Sequence, residues 1–205
     1  MNTATITNGF KSQREFQSLI QSEFISPEVY WKACDGFNTE KKGVQRDAQS
    51  AESQDLLNTI DSGRKAEWVL FEQVREWGYD VKLGNGRGIS DFAIDFDNEW
   101  CGMEAKSARN CKNRYNFHGI QPDKSMATIF MFIRPEGLEC RIANTERLCD
   151  WASKHYTYIT EGKKSGYSIG YNATTLRNPH ENGMEIFKPM TKENIERAVY
   201  DCWDK

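Results

Sequence analysis

Hydrophobic positions along the chain change spacing several times, and the clearest pattern begins after residue 62. Over residues 63–77 apolar side chains recur at three- and four-residue intervals, which predicts a helix that Gly78 ends. Alternating or continuous apolar runs then predict strands at 79–83, 90–96, 100–107, 127–133 and 138–142. A helix capped by Asn144 or Thr145 follows. This order predicts a mixed α/β domain over residues 63–155.

The N-terminal part, residues 1–62, predicts a helical extension and a polar linker. One loose apolar stripe runs from Phe10 to Phe24, and Ser26 followed by Pro27 is typical of a helix start. Residues 36–62 are poor in apolar side chains, so we expect a linker or a weakly packed helix there.

The C-terminal part, residues 156–205, predicts a β-hairpin and a helix that pack on the domain. Strand-like patterns at 156–160 and 167–171 flank a polar loop at 161–166. The last helix is predicted to begin at Thr191, with its apolar positions on one face.

Composition excludes several classes of protein. The 205 residues include 27 basic and 30 acidic side chains, and the net charge of −3 is not that of a dedicated duplex-binding protein. A charged fraction of 28% with 12% aromatic residues argues against a disordered chain. Without an 18-residue apolar run or an apolar signal segment, we expect a cytoplasmic protein that does not enter membranes. The six cysteines lack C-x-x-C spacing, which argues against zinc.

The candidate chemistry lies within residues 90–107. Asp97 and Asn98 tolerate positive φ and predict a two-residue hairpin turn. A turn centred there places Asp91 directly opposite Glu104 on the neighbouring strand. Carboxylates about 5 Å apart repel each other. A divalent cation that prefers oxygen ligands, Mg²⁺ or Mn²⁺, is therefore expected between them.

Two further side chains extend this pair. Lys106 lies on the same strand face as Glu104, where its ammonium group can hold a water or a phosphate. Glu67 shares a face of the preceding helix with apolar residues, so it points toward the protein body and needs a partner. Asp95 and Asp97 are alternative ligands, although both are more simply interpreted as solvated or turn residues.

A glycine-rich loop, residues 84–88, precedes Asp91 and would let a phosphate backbone approach closely. Its spacing is G-x-G-x-G, and a strand rather than a helix follows it, so a dinucleotide-binding fold is excluded. A solvated acidic hairpin is the alternative to a metal site. The loop, together with Lys106 and Glu67, favours the metal site.

Residues 105–122 contain four basic and no acidic side chains. Asn, Gln and Tyr are interleaved, a mixture that can contact both phosphates and bases. An ordinary solvated loop is the alternative, and His118 is a weak candidate for a general base. Counting Arg87 in the glycine loop and two lysines at the predicted hairpin tip, the candidate nucleic-acid contacts are Arg87, Arg109, Lys112, Arg114, Asn116, Gln121, Lys163 and Lys164.

Three elements in order carry a family resemblance: Glu67 on a helix, the segment 89–91 (Ile-Ser-Asp) and the segment 104–106 (Glu-Ala-Lys) on the next strand. This set resembles the PD-(D/E)XK nuclease superfamily, whose restriction-endonuclease-like fold implies a central mixed β-sheet flanked by helices. The spacings are similar to those of archaeal Holliday junction resolvases, and the resemblance covers residues 63–155. Ser90 stands where the family name has proline.

The resemblance implies roles for the four side chains. Asp91 and Glu104 would hold Mg²⁺, with Mn²⁺ as a substitute, and Glu67 would be an accessory ligand through water. Lys106 would orient and polarise the attacking water. The implied reaction is hydrolysis of a phosphodiester bond by in-line attack.

The resemblance therefore implies a Mg²⁺-dependent DNA endonuclease, encoded by a prokaryote or a phage. Restriction-like cleavage of duplex DNA is the first expectation, and junction resolution, repair or a mobile-element role is the second. Because two strands need two active sites, a homodimer is implied as well. Two rival classes stay open: a catalytically silent nucleic-acid-binding subunit with this fold, and a metal-free α/β protein that binds a small molecule.

Overall fold

The computed structural model describes residues 25–47, 51–84, 90–109, 111–134, 137–160, 165–172 and 186–200. The helices in this part of the chain are α1 (Pro27–Asp47), α2 (Ala51–Glu76), α3 (Thr145–Ser153) and α4 (Lys192–Tyr200). The strands are β1 (Val81–Leu83), β2 (Phe92–Phe96), β3 (Glu99–Arg109), β4 (Arg114–Ile120), β5 (Ala127–Arg134), β6 (Gly137–Asn144), β7 (Tyr167–Asn172) and β8 (Lys188–Pro189).

Six strands form a central sheet in the order β1-β2-β3-β5-β6-β8. β3 and β5 are parallel, and the other neighbours in this sheet are antiparallel. β4 and β7 pair with each other as a separate antiparallel ribbon. The predicted α/β class with a mixed central sheet is thus confirmed.

The central sheet packs apolar side chains on both of its faces. On one face, Leu70 of α2 and Ile195 of α4 belong to the same buried apolar cluster as Ile94 and Met103. On the other face, the β4/β7 ribbon and α3 cover β5, and the ring of Phe117 stacks on Phe130 with centroids 4.2 Å apart. The molecule therefore has three layers, with the sheet between helices and the ribbon.

Short polar residues begin three of the helices, as the sequence predicts. The side chains of Ser26, Asn144 and Thr191 each accept a hydrogen bond from the backbone N–H three residues later, at 3.2, 3.1 and 3.2 Å. These bonds satisfy N–H groups that have no partner inside the helix. Gly78 follows the end of α2 with a φ of +92°, a conformation that glycine adopts without steric strain.

The N-terminal helices are longer than the sequence pattern suggests. α1 extends to Asp47, well into the segment 36–62 that is predicted to be a linker or a weak helix. α2 begins at Ala51, so the predicted domain boundary at 62/63 falls inside a continuous helix. The predicted stripe from Phe10 to Phe24 lies outside the described residues.

In the described residues, the predicted C-terminal hairpin is reduced to one antiparallel bridge. β7 pairs with β4, and a single bridge between Ile159 and Gly166 joins the two segments that are predicted to be hairpin partners. Burial explains the difference, because Ile169 and Tyr171 of β7 lie in a buried apolar cluster with side chains of β4 and β5.

β4 lies within residues 105–122, where the sequence pattern predicts no strand beyond residue 107. Tyr115 and Phe117 are buried while Arg114 and Asn116 are exposed, the alternation of a half-buried strand. In the described residues, no helix is long and apolar enough to cross a membrane.

Candidate active site

A tight hairpin between β2 and β3 brings the candidate residues together. Asp97 and Asn98 both have positive φ, 54° and 71°, as the predicted two-residue turn requires. Phe92 pairs with Met103 and Ile94 with Cys101, which is the predicted register. The strand predicted to begin at residue 90 begins at Phe92, so Asp91 lies one residue before it.

The site lies where β3 changes its neighbour. Pairing with β2 stops at Met103, and pairing with β5 runs from Met103 to Arg109. Beyond Met103 the backbone of β3 has no β2 strand beside it. The Asp91 carboxylate fills this position, because its Oδ2 accepts a hydrogen bond of 2.8 Å from the N–H of Ala105. The Asp91 side chain is thereby placed beside Glu104.

Close backbone contacts hold Asp91 in place. Its N–H donates to the carbonyl of Met103 at 3.0 Å, and its own carbonyl accepts from the N–H of Gly84 at 2.7 Å. A Cβ atom on Gly84 would lie 2.4 Å from the Ser90 carbonyl oxygen, and one on Gly102 would lie 2.9 Å from the Ser90 hydroxyl. Because neither glycine has a Cβ atom, the backbone at Gly84 and at Gly102 can lie close to Ser90.

Glu104 is the most buried member of the site, with a side chain that is 3% exposed. Its Oε1 accepts hydrogen bonds from the ammonium groups of Lys106 and Lys124, the latter at 2.6 Å. Its Oε2 is buried and has no hydrogen-bond partner among the described residues. A buried carboxylate oxygen without a partner is unfavourable unless a cation or a donor binds it.

Arg64 and Glu40 connect Glu67 to the N-terminal helix. Arg64 donates to Glu67 at 2.7 Å, to both carboxylate oxygens of Glu40 and to the carbonyl of Gly84 at 2.9 Å. The indole N–H of Trp68 donates to Glu40 at 2.6 Å. Hydrogen bonds from Arg64 and Trp68 leave the pKa of Glu40 lowered, although burial alone would raise it.

The three carboxylates affect one another electrostatically. Burial raises the pKa of Asp91, and the charge of Glu104 raises it further. The hydrogen bond from the Ala105 N–H and the charges of two lysines lower this pKa by less. Burial and the charge of Asp91 also raise the pKa of Glu67. Burial alone would lower the pKa of Lys124, but its hydrogen bond to Glu104 outweighs burial and the pKa is raised. The site therefore concentrates negative charge that favours a cation.

The chemistry of the donors fits a hard divalent cation. Carboxylate oxygens are the ligands that Mg²⁺ and Mn²⁺ prefer, and Glu104 Oε2 is buried without a partner. With the side chains placed as they are, no group of three or more His, Cys, Asp or Glu residues in the described ranges is arranged to hold a metal ion. Two lysines instead engage the other oxygen of Glu104.

The raised pKa of Asp91 predicts a pH dependence of stability in the absence of divalent cations. The folded chain retains a proton on Asp91 at pH values where the unfolded chain, with an ordinary pKa of 3.8, has lost it. The retained proton stabilises the folded chain. This stabilisation is complete below pH 3.8 and is lost as the pH rises through the raised pKa of Asp91. In urea unfolding with EDTA, wild type should therefore lose stability relative to Asp91→Asn as the pH is raised above 3.8. A difference that stays constant over this range would contradict the shift.

The candidate nucleic-acid contacts are placed in different surroundings. Lys112 lies in the turn before β4, and Arg114 and Asn116 lie exposed on that strand. Arg109 is exposed at the end of β3. The Gln121 amide donates to the carbonyl of Ser165 at 2.9 Å, so it joins two loops. Arg87, Lys163 and Lys164 lie outside the described residues.

The ribbon end lies next to the carboxylates. A Cβ atom on Gly119, near the end of β4, would lie 4.0 Å from the ammonium nitrogen of Lys106. His118 is exposed on this strand and lies 3.0 Å from the hydroxyl of Ser168. The alternative ligands lie toward the turn, since Asp95 pairs with Trp100 and Asp97 is exposed within the turn.

Lys124 and Arg64 are the site residues that the sequence pattern does not reveal. Lys124 lies in the turn before β5, and it reaches Glu104 because β5 lies parallel beside β3 with Thr128 opposite Glu104. Arg64 is three residues before Glu67 on α2, a spacing that predicts an ion pair. This spacing is a sequence signal for Arg64, whereas no local pattern points to Lys124.

Together, the fold and the site define an α/β protein with a partly buried carboxylate–lysine cluster in the middle of a mixed sheet. Neither a scan against models of known protein families nor a search for similar curated proteins found a match. The function is therefore inferred from the cluster and from the sequence resemblance.

Proposed function

We propose that the chain is a Mg²⁺-dependent nuclease of the PD-(D/E)XK kind that hydrolyses DNA, with restriction-like cleavage of duplex DNA as its activity. One observation carries the proposal. Glu67, Asp91 and Glu104 lie in one electrostatic cluster with Lys106, and Oε2 of Glu104 is buried without a partner among the described residues. Such a cluster is suited to a hard cation and a phosphate.

The order of the elements supports the proposal. Helix α2 is followed by the antiparallel strands β1, β2 and β3, and then by β5 parallel to β3. Glu67, Asp91 and Lys106 come from the helix, the segment before β2 and β3, as the resemblance implies. The connection between the two parallel strands, usually a helix, contains the strand β4 instead.

The side chains would divide the work as follows. Asp91 and Glu104 Oε2 would hold Mg²⁺, and Glu67 would contact it through water. When bound, the ion lowers the pKa of a water molecule and neutralises charge on the phosphate. The ammonium of Lys106, next to Glu104, would orient the attacking water and stabilise negative charge that develops on the phosphate.

The β4/β7 ribbon would hold part of the substrate. Arg114 and Asn116 point outward from β4, and Lys112 precedes it, so cationic and amide side chains follow one another along an exposed strand. Lysine and arginine contact phosphates, whereas asparagine reads base edges. Because the ribbon ends beside Lys106, DNA lying along it would bring a phosphate to the carboxylates.

A cleavage assay on the full chain tests the proposal. Duplex, four-way-junction and single-stranded DNA and a matched RNA would be incubated with Mg²⁺, with Mn²⁺ and with EDTA. We expect cleavage of duplex DNA that requires a divalent cation and leaves RNA intact. A folded protein that cuts none of the substrates with either metal would overturn the proposal. Preferential cleavage of the four-way junction would instead indicate a nuclease that resolves DNA junctions.

A second candidate is a nucleic-acid-binding subunit without catalysis. The observation in its favour is that the ammonium groups of Lys106 and Lys124 both contact Oε1 of Glu104, so the protein itself supplies positive charge to this carboxylate. This candidate predicts duplex binding that EDTA does not change, together with no cleavage. The nuclease predicts cleavage that EDTA abolishes, so the same assay separates the two.

A further inference from the structure

Lys124 reaches the cluster from a turn whose backbone is firmly held. The N–H of Met126 donates to the carbonyl of Gly102 at 2.8 Å, and the N–H of Thr145 donates to the carbonyl of Met126 at 3.0 Å. The hydroxyl groups of Ser125 and Thr145 lie 3.0 Å apart. The base of the Lys124 side chain is therefore fixed beside β3, and the flexible part is its methylene stem.

Two ammonium groups on one carboxylate conflict with a bound cation. Lys106 and Lys124 both donate to Oε1 of Glu104, so a divalent ion on Oε2 would lie close to two like charges. Lys106 rises from the same strand face as Glu104 and is 17% exposed, whereas Lys124 is 32% exposed. Lys124 is the one that can move toward solvent at lower cost.

We propose that Lys124 is a phosphate-binding lysine, which holds Glu104 while no cation is bound and contacts a phosphate of the nucleic acid once Glu104 holds the cation. This inference rests on the proposed nuclease function. Lysine is a common phosphate ligand that acts as a mobile point charge. Because the turn at 121–126 stays in place, the released ammonium remains at the mouth of the cluster, where a phosphate would approach.

The proposal predicts that removing the charge of Lys124 strengthens cation binding and weakens DNA binding. Lys124→Met keeps the stem and removes the charge, so it should bind Mn²⁺ about fivefold more tightly than wild type without DNA. With Ca²⁺ in place of Mg²⁺, the same variant should bind duplex DNA more weakly, with a salt slope smaller by about 0.9. Its cleavage rate with Mg²⁺ should fall about tenfold or more.

Three variants serve as controls. Lys124→Arg keeps a cation with several donors and should stay close to wild type in DNA affinity and salt slope. Lys154→Met removes an exposed lysine beyond α3 and should change none of the readouts. If Lys124→Met does not fold, Lys124→Gln provides a second neutral side chain for the same measurements.

The outcomes separate the two proposals. If wild type binds Mn²⁺ and cuts DNA, but the neutral variants bind Mn²⁺ no more tightly and keep the wild-type salt slope, the role of Lys124 is overturned and the nuclease stands. If wild type neither binds Mn²⁺ nor cuts DNA, both proposals fail. Tighter Mn²⁺ binding combined with weaker DNA binding supports both.

Discussion

Glu104→Gln is expected to reduce the rate of the proposed Mg²⁺-dependent DNA cleavage about 10³-fold. The substitution keeps the size of the side chain but removes the charge from the most buried carboxylate of the cluster, whose Oε2 has no other partner among the described residues. A neutral amide oxygen is a weaker ligand for a hard cation. It also gives the ammonium groups of Lys106 and Lys124 no negative charge to pair with.

Single-turnover cleavage at saturating DNA and Mg²⁺ measures this effect without interference from product release. Glu99→Gln is the matched control, because Glu99 lies exposed at the other end of the same strand and should leave the rate unchanged. Far-ultraviolet circular dichroism would verify that both variants are folded. A Glu104→Gln rate within about threefold of wild type, with the fold intact, would argue against Glu104 as a cation ligand.

Arg64→Met is expected to lower the free energy of unfolding by about 3 kcal/mol. The Arg64 side chain is 13% exposed and lies between the carboxylates of Glu40 and Glu67. Its loss leaves two partly buried negative charges without their partner, which is more destabilising than the loss of an exposed pair. Burial alone would lower the pKa of Arg64, but its hydrogen bonds to the two carboxylates raise it, so it stays charged.

Arg197→Met on α4 is the control for this prediction. Arg197 pairs with a glutamate four residues earlier, Glu193, but the two side chains are 43% and 71% exposed. Its removal should change the free energy of unfolding by less than about 1 kcal/mol in urea titrations. Equal effects of the two substitutions would show that the Arg64 contacts add nothing beyond a surface pair. Glu40→Gln combined with Arg64→Met should recover part of the loss.

Residues close in sequence account for the part of the site that could be predicted. Asp97 and Asn98 specify a two-residue turn, and the period of two along each strand then places Asp91 beside Glu104 and Lys106. These residues all lie close in sequence, within the segment from Asp91 to Lys106. Helix caps at Ser26, Asn144 and Thr191 are predictable for the same reason.

The β4/β7 ribbon shows why the pairing partner of the C-terminal strand was not predictable. Residues 156–160 and 167–171 carry strand-like patterns close together, which favours a local hairpin. β7 instead pairs with β4, about fifty residues earlier, because the rings of Phe117, Phe130 and Tyr171 pack together on the sheet. A pattern of alternating residues shows that a strand has an apolar face, but not which distant surface covers it.

Interactions between residues close in sequence thus account for the hairpin and for the placement of Asp91, Glu104 and Lys106, which carry the proposed reaction. The packing of distant segments accounts for what surrounds them. Lys124 reaches Glu104 because β5 lies parallel beside β3, and Glu40 reaches Arg64 because α1 packs on α2. Such contacts join residues 20 and 24 positions apart through the burial of whole elements. The hydrophobic effect is non-directional, so the spacing of apolar residues within one element does not specify which distant element packs against it.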